Sequence, residues 1–221
     1  MGNIVDDIRA NEDTFADRPF NEVDSLALAQ LSYARMPVNV PRLDAEATDV
    51  DLAMVSVRDL LRAECYDDMF GKVWSPSMNV DLLRAMCESP RWRDLRVGGY
   101  VDEFDPETTK QFSACVFDVG DGSSYVAFRG TDSTIVGWKE DFAMAFRRPV
   151  AAQESAARYL ADIAGRRDGP LMVGGHSKGG NLAVYAAANA PAAVQERLIA
   201  VFCHDGPGFD ADFFDTPGYA R

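Results

Sequence analysis

At 221 residues, 47% of them apolar, the chain suits one large domain or a portion of a larger one. A formal charge of −13 argues against nucleic acid as a partner, since phosphate binding relies on Lys and Arg, and against tight binding to anionic membrane surfaces. With two histidines, and four cysteines (Cys65, Cys87, Cys115, Cys203) that form no Cys-x-x-Cys pair, the composition argues against a zinc site and predicts free thiols. The acidic N-terminus lacks the basic and apolar regions of a signal peptide, and Asp6 stands where a myristoylation signal wants Ser or Thr. No apolar run reaches membrane-spanning length. A cytoplasmic protein without membrane insertion is expected, and no residue pattern calls for a cofactor.

Residues 1 to about 93 read helical. Asn21 is placed to cap a helix over residues 23–36, with Val23, Leu26, Leu28, Leu31 and Tyr33 as its apolar stripe. Residues 51–70 and 79–89 repeat the pattern. From about Leu95 the period changes. Residues 95–104, 111–119 and 123–128 are β-rich runs separated by turn chemistry, Asp105-Pro106 and Gly120-Asp121-Gly122-Ser123, and the last two fit a hairpin. Helix 153–163, strand 170–174, helix 177–190 and strand 198–203 then alternate. That alternation predicts an α/β fold, a mostly parallel sheet with helices on its faces behind a helical N-terminal region. One domain is expected over 1–221, helical at 1–93 and with its sheet core at 94–221.

The residues that carry chemistry are Gly174-Gly175-His176-Ser177-Lys178-Gly179-Gly180-Asn181. Gly175 to Gly179 fits Gly-x-Ser-x-Gly, a sharp strand-to-helix turn that throws the serine hydroxyl clear of a sheet. The apolar run Leu171-Met172-Val173 before it and the Ala-rich stretch after it supply the strand and the helix. A plain strand–helix turn with an idle serine is the competing reading. Phosphate-binding and dinucleotide loops fail on glycine and lysine spacing. A Ser–Lys dyad fails as well, because Lys178 directly follows the serine and splays away from it; its backbone N–H is the useful group. Acyl transfer needs a second oxyanion donor from a loop after an earlier strand. Thr131, in Arg129-Gly130-Thr131-Asp132 after the strand ending at Phe128, is placed for that. The same residues also read as a turn with an Asx-type hydrogen bond.

Phe128-Arg129-Gly130-Thr131, followed by Trp138 and Asp141, resembles the oxyanion segment of fungal-type (class 3) lipases. The resemblance implies Thr131 as an oxyanion residue and Asp141 as the carboxylate that orients its hydroxyl. A wider match comes from Pro19 to Leu26, Leu31-Ser32-Tyr33, Phe128 to Asp132, Gly137 to Phe142, the Ser177 turn and Asp205 to Phe209. Together these blocks resemble the bacterial Mbeg-like family, lipase-like α/β-hydrolases formally of unknown function. An α/β-hydrolase-like fold and a serine esterase activity are what the resemblance implies.

Such a serine needs a base, normally a histidine held by a carboxylate. His204 and Asp205 are adjacent at a strand end and point apart, so one cannot orient the other. His176 precedes the serine on its strand and points to the far side. Asp205 is a candidate acid and also a turn aspartate of Asp-Gly-Pro-Gly. The missing base implies a C-terminally truncated chain whose histidine lies further on, with a final strand whose free edge invites self-association. The expected function is a serine hydrolase of esterase/lipase type acting on a small acyl ester. Ser177 is its nucleophile, with Lys178 N–H and Thr131 in the oxyanion hole and residues 133–150 as a lid or an amphipathic packing helix. Thioesterase and acyltransferase chemistry would use the same parts. The alternative is a hydrolase-fold binding or scaffolding module without turnover.

Overall fold

A computed structural model describes residues 2–44, 52–107, 110–131 and 149–221. In chain order its elements begin with α1 (Ile4–Ala10), α2 (Glu22–Leu31), β1 (Met54–Ser56), α3 (Tyr66–Phe70) and α4 (Pro76–Glu88). There follow β2 (Arg96–Asp105), β3 (Lys110–Asp118), β4 (Ser124–Phe128), α5 (Ala151–Arg166) and β5 (Leu171–His176). The chain continues through α6 (Lys178–Asn189), α7 (Ala192–Gln195), β6 (Leu198–His204) and α8 (Ala211–Phe214). Short 3-10 turns lie at Val57–Leu60 and Ala63–Cys65.

The fold is mixed α/β, with an open six-stranded sheet in the order β1-β2-β3-β4-β5-β6. The sheet is not mostly parallel. Strands β1 to β4 pair antiparallel, and only β4–β5 and β5–β6 run parallel. Connection length is the reason. A parallel pair needs a crossover of a dozen residues or so, whereas the links from β2 to β3 and from β3 to β4 are far shorter than that. In the second turn the Asp118 carboxylate accepts the Gly120 amide at 2.9 Å and the Asp121 carboxylate accepts the Ser123 amide at 2.8 Å. Parallel pairing begins where α5 and then α6 intervene.

The N-terminal region also departs from an all-helical reading. Within residues 51–70, Met54, Val55 and Ser56 pair with Gly98, Val97 and Arg96 and extend the sheet. A short run containing a β-branched residue gains more from the open edge of β2 than from an isolated helix. Asn21 does cap α2, accepting the amides of Val23 and Asp24 at 2.9 and 3.3 Å, and the Asp24 carboxylate returns to the Asn21 amide at 3.0 Å. The helix stops at Leu31, however, so Tyr33 lies just beyond it.

Helices cover both faces of the sheet. On one, α5 and α6 press Ala156, Leu160, Ile163, Leu182 and Ala183 against Val116, Val126, Phe128 and Val173. On the other, Leu28, Leu31, Leu82, Leu83 and Met86 of α2 and α4 cover Phe117, Tyr125, Ala127 and Met172. Arg91 locks that second layer. Its buried guanidinium bonds both Asp24 oxygens, at 2.9 and 2.5 Å, and donates to the carbonyls of Asp13, Thr14, Arg18 and Pro19. Among the described residues, no helix is long and apolar enough to cross a membrane.

Candidate functional site

Ser177 lies between the last residue of β5 and the first of α6, with φ 55° and ψ −128°. A side chain is rarely tolerated at positive φ, and such strain persists only where neighbours enforce it. Here the Ser177 amide donates to the His204 carbonyl at 2.9 Å, and its own carbonyl accepts the Gly180 amide at 2.9 Å. Strand β6 and the first turn of α6 thus hold the bend from two sides.

The flanking glycines let a third segment approach. A methyl group on Gly175 would stand 2.5 Å from the Phe128 carbonyl oxygen, and one on Gly179 would stand 2.1 Å from it. Phe128 is also the register partner of Gly175. The end of β4 therefore lies directly against the serine turn, and Thr131, three residues on and half-buried, emerges at the same end of the sheet. Arg129 anchors this loop from below: it is buried, and Nη2 donates to an Asp102 carboxylate oxygen of β2 at 2.6 Å. Asp141 lies outside the described residues, as does nearly all of the segment 133–150.

Lys178 opens α6, which puts its N–H directly after the serine. Its ammonium is buried and donates to the Gln111 carbonyl at 2.8 Å and the Gln111 side-chain oxygen at 3.2 Å. The Lys178 side chain therefore runs to β3. Asp205 is exposed, with φ 53°, at the head of the loop after β6. Asn181, buried on the first turn of α6, holds that loop by donating to the Pro207 carbonyl at 2.9 Å while accepting from the Gln153 amide at 2.8 Å.

The two histidines are register partners at the ends of β5 and β6. Both meet the N-terminal layer. His176 Nδ1 is 2.8 Å from the Tyr33 hydroxyl. His204 Nε2 is 2.9 Å from the Ser25 hydroxyl, which in turn is 2.8 Å from the Tyr125 hydroxyl. Burial, and then the neighbouring His176, hold the His204 imidazole below its ordinary value. Burial likewise pushes the Tyr125 phenol up. Among the described residues, no hydrogen bond joins the Ser177 hydroxyl to a histidine or to Asp205, and no group of three His, Cys, Asp or Glu side chains is placed to hold a metal ion.

Ser177, Lys178 and the approach to Thr131 were readable because they are local in sequence or lie at strand ends. Sequence reasoning missed Ser25, Asn181 and the Arg129–Asp102 pair, and took Tyr33 for a stripe residue. The blocks Pro19 to Leu26 and Leu31-Ser32-Tyr33, which carry the family resemblance, were the one signal that pointed to Ser25 and Tyr33.

No curated protein matches the chain, and no solved structure does. The Mbeg1-like family model matches residues 86–221, more than half of the chain, from within α4 through β6 and the segment after it.

Proposed function

The chain belongs to the Mbeg1-like family, and on that premise we propose that it is a serine hydrolase of the esterase/lipase type with an α/β-hydrolase-like fold. One observation carries the reading. Ser177 keeps a side chain at φ 55°, between a strand and a helix, where glycine would fit without strain. In the proposed reaction a base takes the Ser177 hydroxyl proton and the oxygen attacks the acyl carbonyl. Lys178 N–H and Thr131 bind the oxyanion, with Asp141 orienting the Thr131 hydroxyl. Collapse of the adduct expels the alcohol, which takes up the proton, and water then releases the acid from Ser177. The acidic composition favours a small neutral ester over an anionic one. The histidines are bonded to Tyr33 and Ser25 rather than to the Ser177 hydroxyl, so turnover requires a base brought to that hydroxyl, with Asp205 as the candidate acid behind it.

That same bonding favours a second reading, a hydrolase-fold binding module without turnover. A fluorophosphonate probe separates the two. The hydrolase reading expects covalent labelling of Ser177 that is lost in Ser177→Ala. Absence of labelling in the unaltered protein would overturn it.

A further inference from the structure

We propose that Tyr33 is a positioning residue that sets the spacing between the two halves of the oxyanion site; this rests on the hydrolase reading above. The Tyr33 side chain is 9% exposed and reaches across from the N-terminal layer to the carboxyl end of the sheet. Its hydroxyl is 2.8 Å from His176 Nδ1, and its ring centroid is 5.9 Å from that of His176. The same hydroxyl lies hard against Gly130. A methyl group on Gly130 would stand 2.0 Å from the Tyr33 oxygen and 2.7 Å from the His176 carbonyl oxygen.

One phenol oxygen therefore touches both segments that carry the proposed donors. His176 is two residues before Lys178, whose N–H is one donor; Gly130 immediately precedes Thr131, the other. The two segments come from different strands, and an oxyanion hole works only when its donors share a target within a few tenths of an ångström. A misplacement of about 1 Å costs on the order of a hundredfold in rate. The Tyr33 hydroxyl is a fixed wedge between them, and glycine at 130 is the residue type that lets it sit there.

The decisive variant is Tyr33→Phe, which keeps the ring and removes the hydroxyl that forms the wedge and bonds His176. We expect Ser177 labelling to slow by about tenfold or more, with any ester turnover losing kcat at unchanged KM. Gly130→Ala disturbs the same contact from the other side. It should slow labelling too, and the double variant should lose less than the product of the single losses. An independent reading comes from backbone amide NMR of the intact chain, in which Tyr33→Phe should shift the Thr131 and Lys178 resonances together. Unchanged labelling, multiplicative losses, or a shift confined to the His176 side would each overturn the proposal. If the unaltered protein fails to label at Ser177, the hydrolase reading falls, and the paired amide shifts alone decide whether Tyr33 couples the two segments.

Discussion

The face of the sheet covered by α5 and α6 and the face covered by the N-terminal helices are held by different means. The first is chiefly a packing problem solved with small and branched apolar side chains, beside the buried Lys178–Gln111 and Gln153–Asn181 bonds, and its helices are the crossovers that make β4, β5 and β6 parallel. The second also has an apolar core, but its registry comes from single polar ties between distant parts of the chain. Asp24 and Arg91 are 67 residues apart, Tyr33 and His176 143, and Ser25 and His204 179. Crossover helices are placed by the strands that they connect; a layer that precedes the sheet needs specific contacts to dock in one way. Both histidines bond to that layer, and among the described residues neither bonds the Ser177 hydroxyl.

The sharpest way to break this comparison is Arg91→Ala. It leaves the buried Asp24 carboxylate without its cation and four carbonyls without their donor, and we expect a loss of about 3–5 kcal/mol in urea unfolding. Leu182→Ala on the opposite face removes packing alone, with an expected cost of about 3 kcal/mol by the same measurement. Were the Leu182 variant clearly the weaker of the two, the N-terminal layer would not depend on its ion pair as described. Ser25→Ala removes the hydroxyl that Tyr125 and His204 share, while Tyr125 keeps its bond to the backbone carbonyl of residue 25, and should cost about 1 kcal/mol.

The smallest effect is a pH dependence. The folded His204 imidazole binds its proton less readily than an unfolded one, so its contribution is complete above the unfolded value of about 6.5 and is lost as the pH falls toward the lower folded value. Tm should therefore drop between pH 7 and pH 5, with a shallower slope in His204→Gln. An equal slope in that variant would place the effect elsewhere.

The same division explains what was legible in the sequence. Strands β2 to β4 announce themselves as β-rich runs separated by turn chemistry at Asp105-Pro106 and Gly120-Asp121-Gly122-Ser123, and the serine turn is a contiguous motif; all are local signals. The sheet's direction was misjudged because helix–strand alternation after residue 150 was extended to a sheet whose first four strands are joined by reversals or added at an edge. Strand β1 was missed because three residues become a strand only when β2 offers them an edge. The hydroxyl–histidine pairs left no trace in periodicity or propensity, only in the blocks that carry the family resemblance: a serine and a tyrosine on or near a helix look like any others until the fold brings β5 and β6 beneath them. The signal for Asp141 came from the resemblance alone, and it lies outside the described residues.

The backbone at Ser177 carries a further consequence, for selection. At φ 55° glycine is the residue that folding alone would choose. Ser177→Gly should therefore raise the melting temperature relative to Ser177→Ala, by an amount on the order of 1 kcal/mol in stability, while both lose the hydroxyl. On the hydrolase reading proposed above, the hydroxyl is what that position is kept for. Comparing the thermal stability of Ser177→Gly with that of the unaltered protein would measure how much folding free energy is forgone to keep an oxygen at the tip of that turn.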